Sequence, residues 1–266
     1  MSWLRQLPSG LYLVAGFVFI YLPSVILVLF SFQDGLLPLP PFEGPSLQWY
    51  ERMIENRRLT EALGNSVMVA LLSGLTATVL GFLAAYGLAR RKRRFGSAVR
   101  YVLMAPLMVS YLIIGMGMLI SFTLVGIPKS LLSVGIGHVI INLPLCFAII
   151  LSQLGEHQRN IERAAHDLGA SDLKALVLVT VPMMRPALVV SFCIAVTLSW
   201  DEFIISYLLS RFDVTLPVKV YGMLRGGLNP EINAAGSVVF AISIGVVVLA
   251  ALFGLRRRST DGRAAR

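Results

Sequence analysis

Six apolar blocks, each long enough to cross a bilayer, decide what this chain can fold into: residues 11–32, 63–89, 99–124, 131–153, 183–209 and 235–255. A helix needs about 20 residues to span the hydrocarbon layer. Lipid offers backbone N–H and C=O groups no partners, so blocks of this length predict membrane-crossing helices. Charged residues make up 14% of the 266-residue sequence, against about 25% in a soluble domain. The expected fold class is an all-α membrane protein with six transmembrane helices. Residues 1–266 form one membrane domain, with no repeat, no low-complexity segment and no room for a soluble domain. The first block is longer than the 7–15 residues of a signal-peptide core and no A-x-A-like site follows it, so it is read as the first span.

The net charge of +9 invites a nucleic-acid reading, but the distribution of charge argues against one. With six spans and an inner N-terminus, the inner segments and their flanks hold sixteen of the 23 basic residues, among them Arg90–Arg94, Arg159, Arg163, Lys174 and Arg256–Arg258. Such a bias marks the cytoplasmic side. Both termini are therefore expected in the cytoplasm, and the basic composition needs no nucleic-acid partner.

Within this frame, Pro38, Pro40, Pro41 and Pro45 keep the first outer loop irregular. Trp49 and Tyr50 read as interfacial aromatics leading into an amphipathic piece, Gln48–Leu59. Ser73, Ala77, Gly81, Ala85 and Ala89 recur every four residues along the second span, a spacing that lets helices approach closely in lipid. Arg90–Arg94 reads as a stop-and-orient signal. Pro106 and Pro144 are expected to bend the third and fourth spans. Cys146 and Cys193 read as small packing residues. His138 near a span start, and His157 and His166 in the insert, lack metal-ligand spacing; no metal site is expected.

The segment 158–182 is a polar insert on the expected cytoplasmic side. Gln158–Gly169 reads as a short helix ended by Gly169, because glycine takes the left-handed conformation past a helix end at little cost. Ser171 is placed to cap a second helix over about Asp172–Val181, with Pro182 following. Small alanines beside a tight glycine turn make a protruding helix pair that can seat in a groove on a soluble partner.

Ala164-Ala165, Gly169 after three residues, and Val179-Thr180-Val181-Pro182 after nine more resemble the EAA loop of the membrane subunits of bacterial ATP-binding-cassette importers, E-A-A, then G, then I-x-L-P. One position departs: the family's Glu falls on Arg163, while Glu162 stands one residue early. Asn65, Asn142-Leu143-Pro144, Leu216–Tyr221 and Asn229–Ala234 are similar to the spermidine/putrescine branch, second permease subunit type. The resemblance implies a type I importer permease fold in the bacterial inner membrane, with a cytoplasmic coupling helix carried by Glu162, Arg163, Ala164, Ala165, Asp167, Gly169, Ala170 and Pro182. It implies two ATP-binding subunits, a second related permease and a periplasmic solute-binding protein as partners besides the bilayer. The implied solute is a polyamine, and permeases for other small solutes share much of the pattern. No G-x-x-x-x-G-K-[ST] run occurs in the sequence, so the chain is not expected to be an enzyme. ATP and magnesium belong on the partner ATPase, and no cofactor is expected here.

Trp200-Asp201-Glu202 places two acids inside the fifth block. A carboxylate at membrane depth costs roughly 2.5–3.5 kcal/mol on insertion scales, so it faces an aqueous cavity or a partner. Either acid can stabilise a cationic solute, with Trp200 or Tyr207 stacking on its charge; the alternative is an ion pair with the partner permease. Neighbouring residues on a helix point about 100° apart, so one acid at most faces the pathway, with Asp201 slightly preferred. Tyr221 and Arg225 are weaker candidates for an outer gate. A stand-alone carrier driven by an ion gradient would need related broken helices in two halves, and no convincing pair is visible. A membrane subunit with no pathway is the other rival.

Overall fold

The computed structural model describes residues 6–90, 96–227, 229–245 and 248. The Arg91–Arg94 run, most of the second half of the sixth apolar block and the C-terminal arginines lie outside the described residues. Helices dominate in this order: α1 Gln6–Phe30, α2 Gln48–Glu55, α3 Arg57–Arg90, α4 Gly96–Met104, α5 Tyr111–Val125, α6 Leu131–Gln153, α7 Glu156–Asp167, α8 Asp172–Ala175, α9 Val181–Trp200, α10 Ile204–Leu209 and α11 Leu216–Gly226, followed by a helical stretch over 230–245. Four helical runs among the described residues are long and apolar enough to cross a membrane: Gly10–Phe30, Arg57–Arg90, Leu131–Gln153 and Asp172–Trp200.

Two compact units divide the chain, Met1–Glu61 with Lys219–Ile242 and Ala62–Val218 with Ser243–Arg266. In the first, the apolar stretch of α1 is exposed along nearly its whole length, as suits a helix that is apolar all round and meets lipid. Its C-terminal end meets the start of the 230–245 stretch, where a Cβ on Gly236 would lie 3.2 Å from Leu27. The proline-rich loop closes around buried Gln33, which donates to the Pro41 carbonyl and accepts from the Glu43 N–H. Trp49 is not an interfacial aromatic: it is buried and donates its indole N–H to the Gln33 carbonyl at 2.7 Å. The irregular loop leaves that carbonyl without a ladder partner, and the indole supplies one. Nor does the amphipathic piece run unbroken to Leu59, since α2 ends at Glu55 and Asn56 Oδ1 receives the Leu59 N–H as α3 begins.

In the second unit α3, α6 and α9 pack side by side. Apolar clusters follow one another along them: Val69 and Ile141 with Ile205 of α10, then Ala77 with Cys146 and Ala195, then Phe82 with Phe147 and Met184. The four-residue stripe is a helix contact as its spacing predicts. Ser73, Ala77, Gly81 and Ala85 are buried, and a Cβ on Gly81 would lie 2.9 Å from the Phe147 backbone nitrogen.

The third and fifth blocks are not single straight helices. The third is broken between Met108 and Tyr111, with 106° between its halves. Pro106 cannot donate, the chain tightens into a 3₁₀ turn over Ala105–Met108, Val109 is extended, and Ser110 caps α5 by accepting the Leu112 N–H. The fifth block starts earlier than its apolar run and stops sooner. Asp172–Ala175 continues through a π-helical turn, Leu176–Thr180, straight into α9, so the second helix of the insert is the root of the span. Pro182 lacks the N–H that would bond to Leu178, and a widened turn absorbs the misfit. Asp201–Phe203 are non-helical, and α10 follows as a separate short helix.

Candidate functional site

The insert is built on a locked acid. Gly169 takes φ +86°, and the Ala170 N–H reaches back to the Ala165 carbonyl at 3.0 Å while the Gly169 N–H meets His166, so the orphan carbonyls of α7 are capped as a Schellman turn requires. Ser171 Oγ then accepts the Lys174 N–H at 3.5 Å and starts α8. Glu162 points inward and is buried. Arg90, the last residue of α3, donates to it twice, Nε at 2.5 Å and an Nη2 at 2.8 Å, and Thr180 Oγ1 donates at 2.6 Å. One carboxylate thus ties α3, α7 and the π-turn together. The Arg90 guanidinium also lies 5.7 Å from the Tyr86 ring centre.

One residue on, Arg163 is exposed, as are Ala164, Asp167 and Gly169, while Ala165, Ala170 and Pro182 are half-buried. Leu168, at the turn, is 90% exposed. The insert therefore presents a small knob with an apolar tip and an arginine flank, anchored from behind by Glu162.

At the other end of α9 the two adjacent acids part company. Asp201 terminates α9 and is exposed. Glu202 is buried, and its carboxylate accepts the N–H groups of Ile205 (2.9 Å) and Ser206 (3.2 Å), capping α10. Behind it sits fully buried His138 on α6, with Nε2 at 3.0 Å from Ser206 Oγ and 3.4 Å from Glu202 Oε2. Its Nδ1 lies 2.6 Å from Ser199 Oγ, which meets Ser73 Oγ of α3 at 2.9 Å. Ser206 Oγ donates to the Glu202 carbonyl; that leaves its lone pairs for an Nε2–H and makes Nδ1 the acceptor from Ser199. Trp200 is buried, so the open indole face expected to stack on a cation is turned into the bundle: as the last residue of α9 it lies on the face that packs inward. Tyr207 is exposed, its ring stacked on Phe203 at 5.4 Å between centres.

His138 was legible only as a lone residue near a span start. The available signal was its spacing: His138 and Asn142, four apart, put two polar groups on one face of an apolar helix. Asn142 is also buried and donates to the Ala195 carbonyl at 3.4 Å. Asn65 and Ser66 act as pins, the first donating to the Val214 carbonyl and the second accepting the Leu216 N–H where α11 begins. Tyr221 and Arg225 lie on α11, with the guanidinium 5.7 Å from the ring centre. Among the described residues no three His, Cys, Asp or Glu side chains gather as metal ligands.

Four helices long and apolar enough to cross a membrane, a further broken pair and an exposed helical turn at Arg163–Gly169 are what a polytopic membrane protein would show. Residues 77–261 match the family described as binding-protein-dependent transport system inner membrane component. The chain is 33% identical to the putrescine transport system permease protein PotI of Escherichia coli strain K12, over 92% of this chain and 89% of that one. It is 31% identical to the spermidine/putrescine transport system permease protein PotC of Haemophilus influenzae, over 89% and 92%. Among solved structures, a bacterial alginate ABC transporter in complex with an alginate pentasaccharide-bound periplasmic protein superposes with a TM-score of 0.73 at 15% identity, over 93% of this chain and 92% of that one. The MetNI methionine ABC transporter in an inward-facing conformation gives 0.60 at 18% identity, over 77% and 96%. The chain belongs to the family of inner-membrane components of binding-protein-dependent transport systems. It is a permease subunit of an ATP-binding-cassette importer and not an enzyme.

Proposed function

We propose that this permease carries a polyamine, putrescine or spermidine, inward across the bacterial inner membrane. It pairs with a second, related permease. Two ATP-binding subunits dock on the insert 158–182 from the cytoplasm, where both termini also lie, and a periplasmic binding protein delivers the solute from outside. ATP binding draws the ATPases together, and the motion passes through α7 into α3 and α9 by way of Glu162. Access then shifts from one side to the other as the populations of the two states change.

The observation that carries this reading is the Glu162 clamp behind the exposed knob at Arg163–Leu168. A force applied to the knob is passed on because the acid binds Arg90 at the end of α3 and Thr180 in the π-turn that runs into α9. The polyamine rests on the two relatives named above and on Asp201, an exposed acid at the end of a span. The test is uptake of radiolabelled putrescine and spermidine by the reconstituted complex, with ATPase copurification followed in parallel. Asp201→Asn is expected to raise the half-saturating polyamine concentration about tenfold, the effect of losing one charge-assisted contact, with assembly unchanged. Uptake that persists without ATP, or no ATPase in the purified complex, would favour an ion-driven carrier instead.

A further inference from the structure

In the cleft behind the insert cations outnumber acids, Arg90, Arg159 and Arg163 against Glu162 and Asp172. The cleft, of about 510 Å³, lies between α7, α8 and the end of α3, lined by Tyr86, Arg90, Arg159, Arg163 and His166 with Glu162 at its back. Glu162 neutralises Arg90, and His166 Nε2 stands 3.8 Å from Asp172 Oδ1. Arg159 and Arg163 have no carboxylate within 4.0 Å among the described residues. They sit four apart on α7, one above the other on one face. Two like charges at that spacing repel by about 0.2–0.5 kcal/mol, and an anion brought to the pair from outside the chain would relieve that repulsion.

We infer, resting on the reading that ATP-binding subunits dock here, that this cleft receives an acidic side chain of the ATPase, gripped by Arg159 and Arg163. A guanidinium presents a planar fork that matches a carboxylate with two parallel hydrogen bonds, and two stacked forks select for an acid inserted edge-on. The occupant is a protein rather than a phosphate group for two reasons on this surface. Leu173, 69% exposed, lines the cleft and Leu168 stands exposed at the turn, so the charged grip is bordered by apolar surface that a protein partner would cover. The carboxylates of Glu162 and Asp172 also line the cleft, which repels a dianionic phosphate more than a single carboxylate. Docking thus has an electrostatic register in addition to shape, and the register sets which ATPase this permease accepts.

The test uses the whole complex purified in detergent through a tag on the permease. Arg163→Glu and Arg159→Glu are compared with Lys174→Glu, an equal charge reversal at an exposed position of the same insert outside the cleft. Each cleft reversal should lower ATPase retention about tenfold or more, as loss of a close charge pair at an interface does, whereas Lys174→Glu should change it less than about twofold. Replacing Asp and Glu residues of the ATPase by Lys one at a time should yield one substitution that restores retention with Arg163→Glu. Because a reversal can disturb the permease itself, Arg159→Ala/Arg163→Ala is tested as well, and it should flatten the fall in wild-type retention with rising salt. Equal effects of Arg163→Glu and Lys174→Glu, or no rescuing substitution, would overturn the inference. So would loss of binding to phosphatidylglycerol vesicles with ATPase retention untouched. A wild-type complex that holds no ATPase would instead remove the functional reading beneath it.

Discussion

Glu162 and Arg163 are neighbours whose fates diverge because adjacent helical residues point about 100° apart. Glu162 meets Arg90 and Thr180 inside the protein, and Arg163 faces out. Displacing the acid by one residue from the family pattern therefore changes what each position does, so that the carboxylate anchors the insert and the exposed position carries a cation. Removing one partner of a buried ion pair leaves the other uncompensated and costs about 3–5 kcal/mol. Glu162→Ala should accordingly lower the thermal midpoint of the detergent-solubilised permease clearly, and Arg90→Ala/Glu162→Ala should recover part of the loss. A double variant worse than either single one would count against the clamp. Glu202→Ala removes a cap and a partner of His138 and should cost stability, while Asp201→Asn should cost transport and leave the stability within about 0.5 kcal/mol of wild type. Equal midpoints for the two variants would count against a structural role for Glu202 that Asp201 does not share. From sequence alone Asp201 was only slightly preferred over Glu202 for the pathway. Which acid turns inward depends on a helix break after Trp200 and on a histidine sixty-odd positions away, and no local pattern encodes either.

Elements reveal themselves in sequence where periodicity and chemistry agree. Leu131–Gln153 coincides with its apolar run, and the insert was legible in detail because Gly169 and Ser171 carry local mechanisms for ending and starting helices. The bend in the third block is expected from Pro106, and Ser110 marks where α5 restarts; the break at 201–203 falls on Asp201-Glu202, which in sequence read as acids inside a continuous span. The stripe on α3 offers a measurable contrast. A Cβ at Gly81 meets the backbone of α6 at 2.9 Å, whereas at Gly87 nothing lies within 4 Å. Gly81→Ala should lose about 1–3 kcal/mol through overpacking, and Gly87→Ala should hold or gain about 0.5–1 kcal/mol from helix propensity. Thermal unfolding of the two variants side by side separates close packing from a general dislike of substitution in this helix.

At the scale of the molecule the orientation follows from charge, and α6 provides the ruler. Its 23 residues rise about 35 Å at 1.5 Å per residue, enough to span the hydrocarbon layer. The 125–130 loop at one end and the insert at the other must then lie on opposite sides of the membrane. The insert end, with its flanks, carries Arg159, Arg163, Lys174 and Arg185, and the other end carries Lys129 alone. Positive-inside bias supports the proposed cytoplasmic insert, which is also where a nucleotide-driven partner could reach it. With Cys146 and Cys193 replaced by Ala, Lys129→Cys and Leu168→Cys introduce single thiols at exposed positions. A membrane-impermeant maleimide added to spheroplasts should label the first directly and the second only after permeabilisation. The reverse pattern would put the knob outside, where ATP is absent, and the mechanical chain from Arg163 through Glu162 to α3 and α9 would have no engine to drive it.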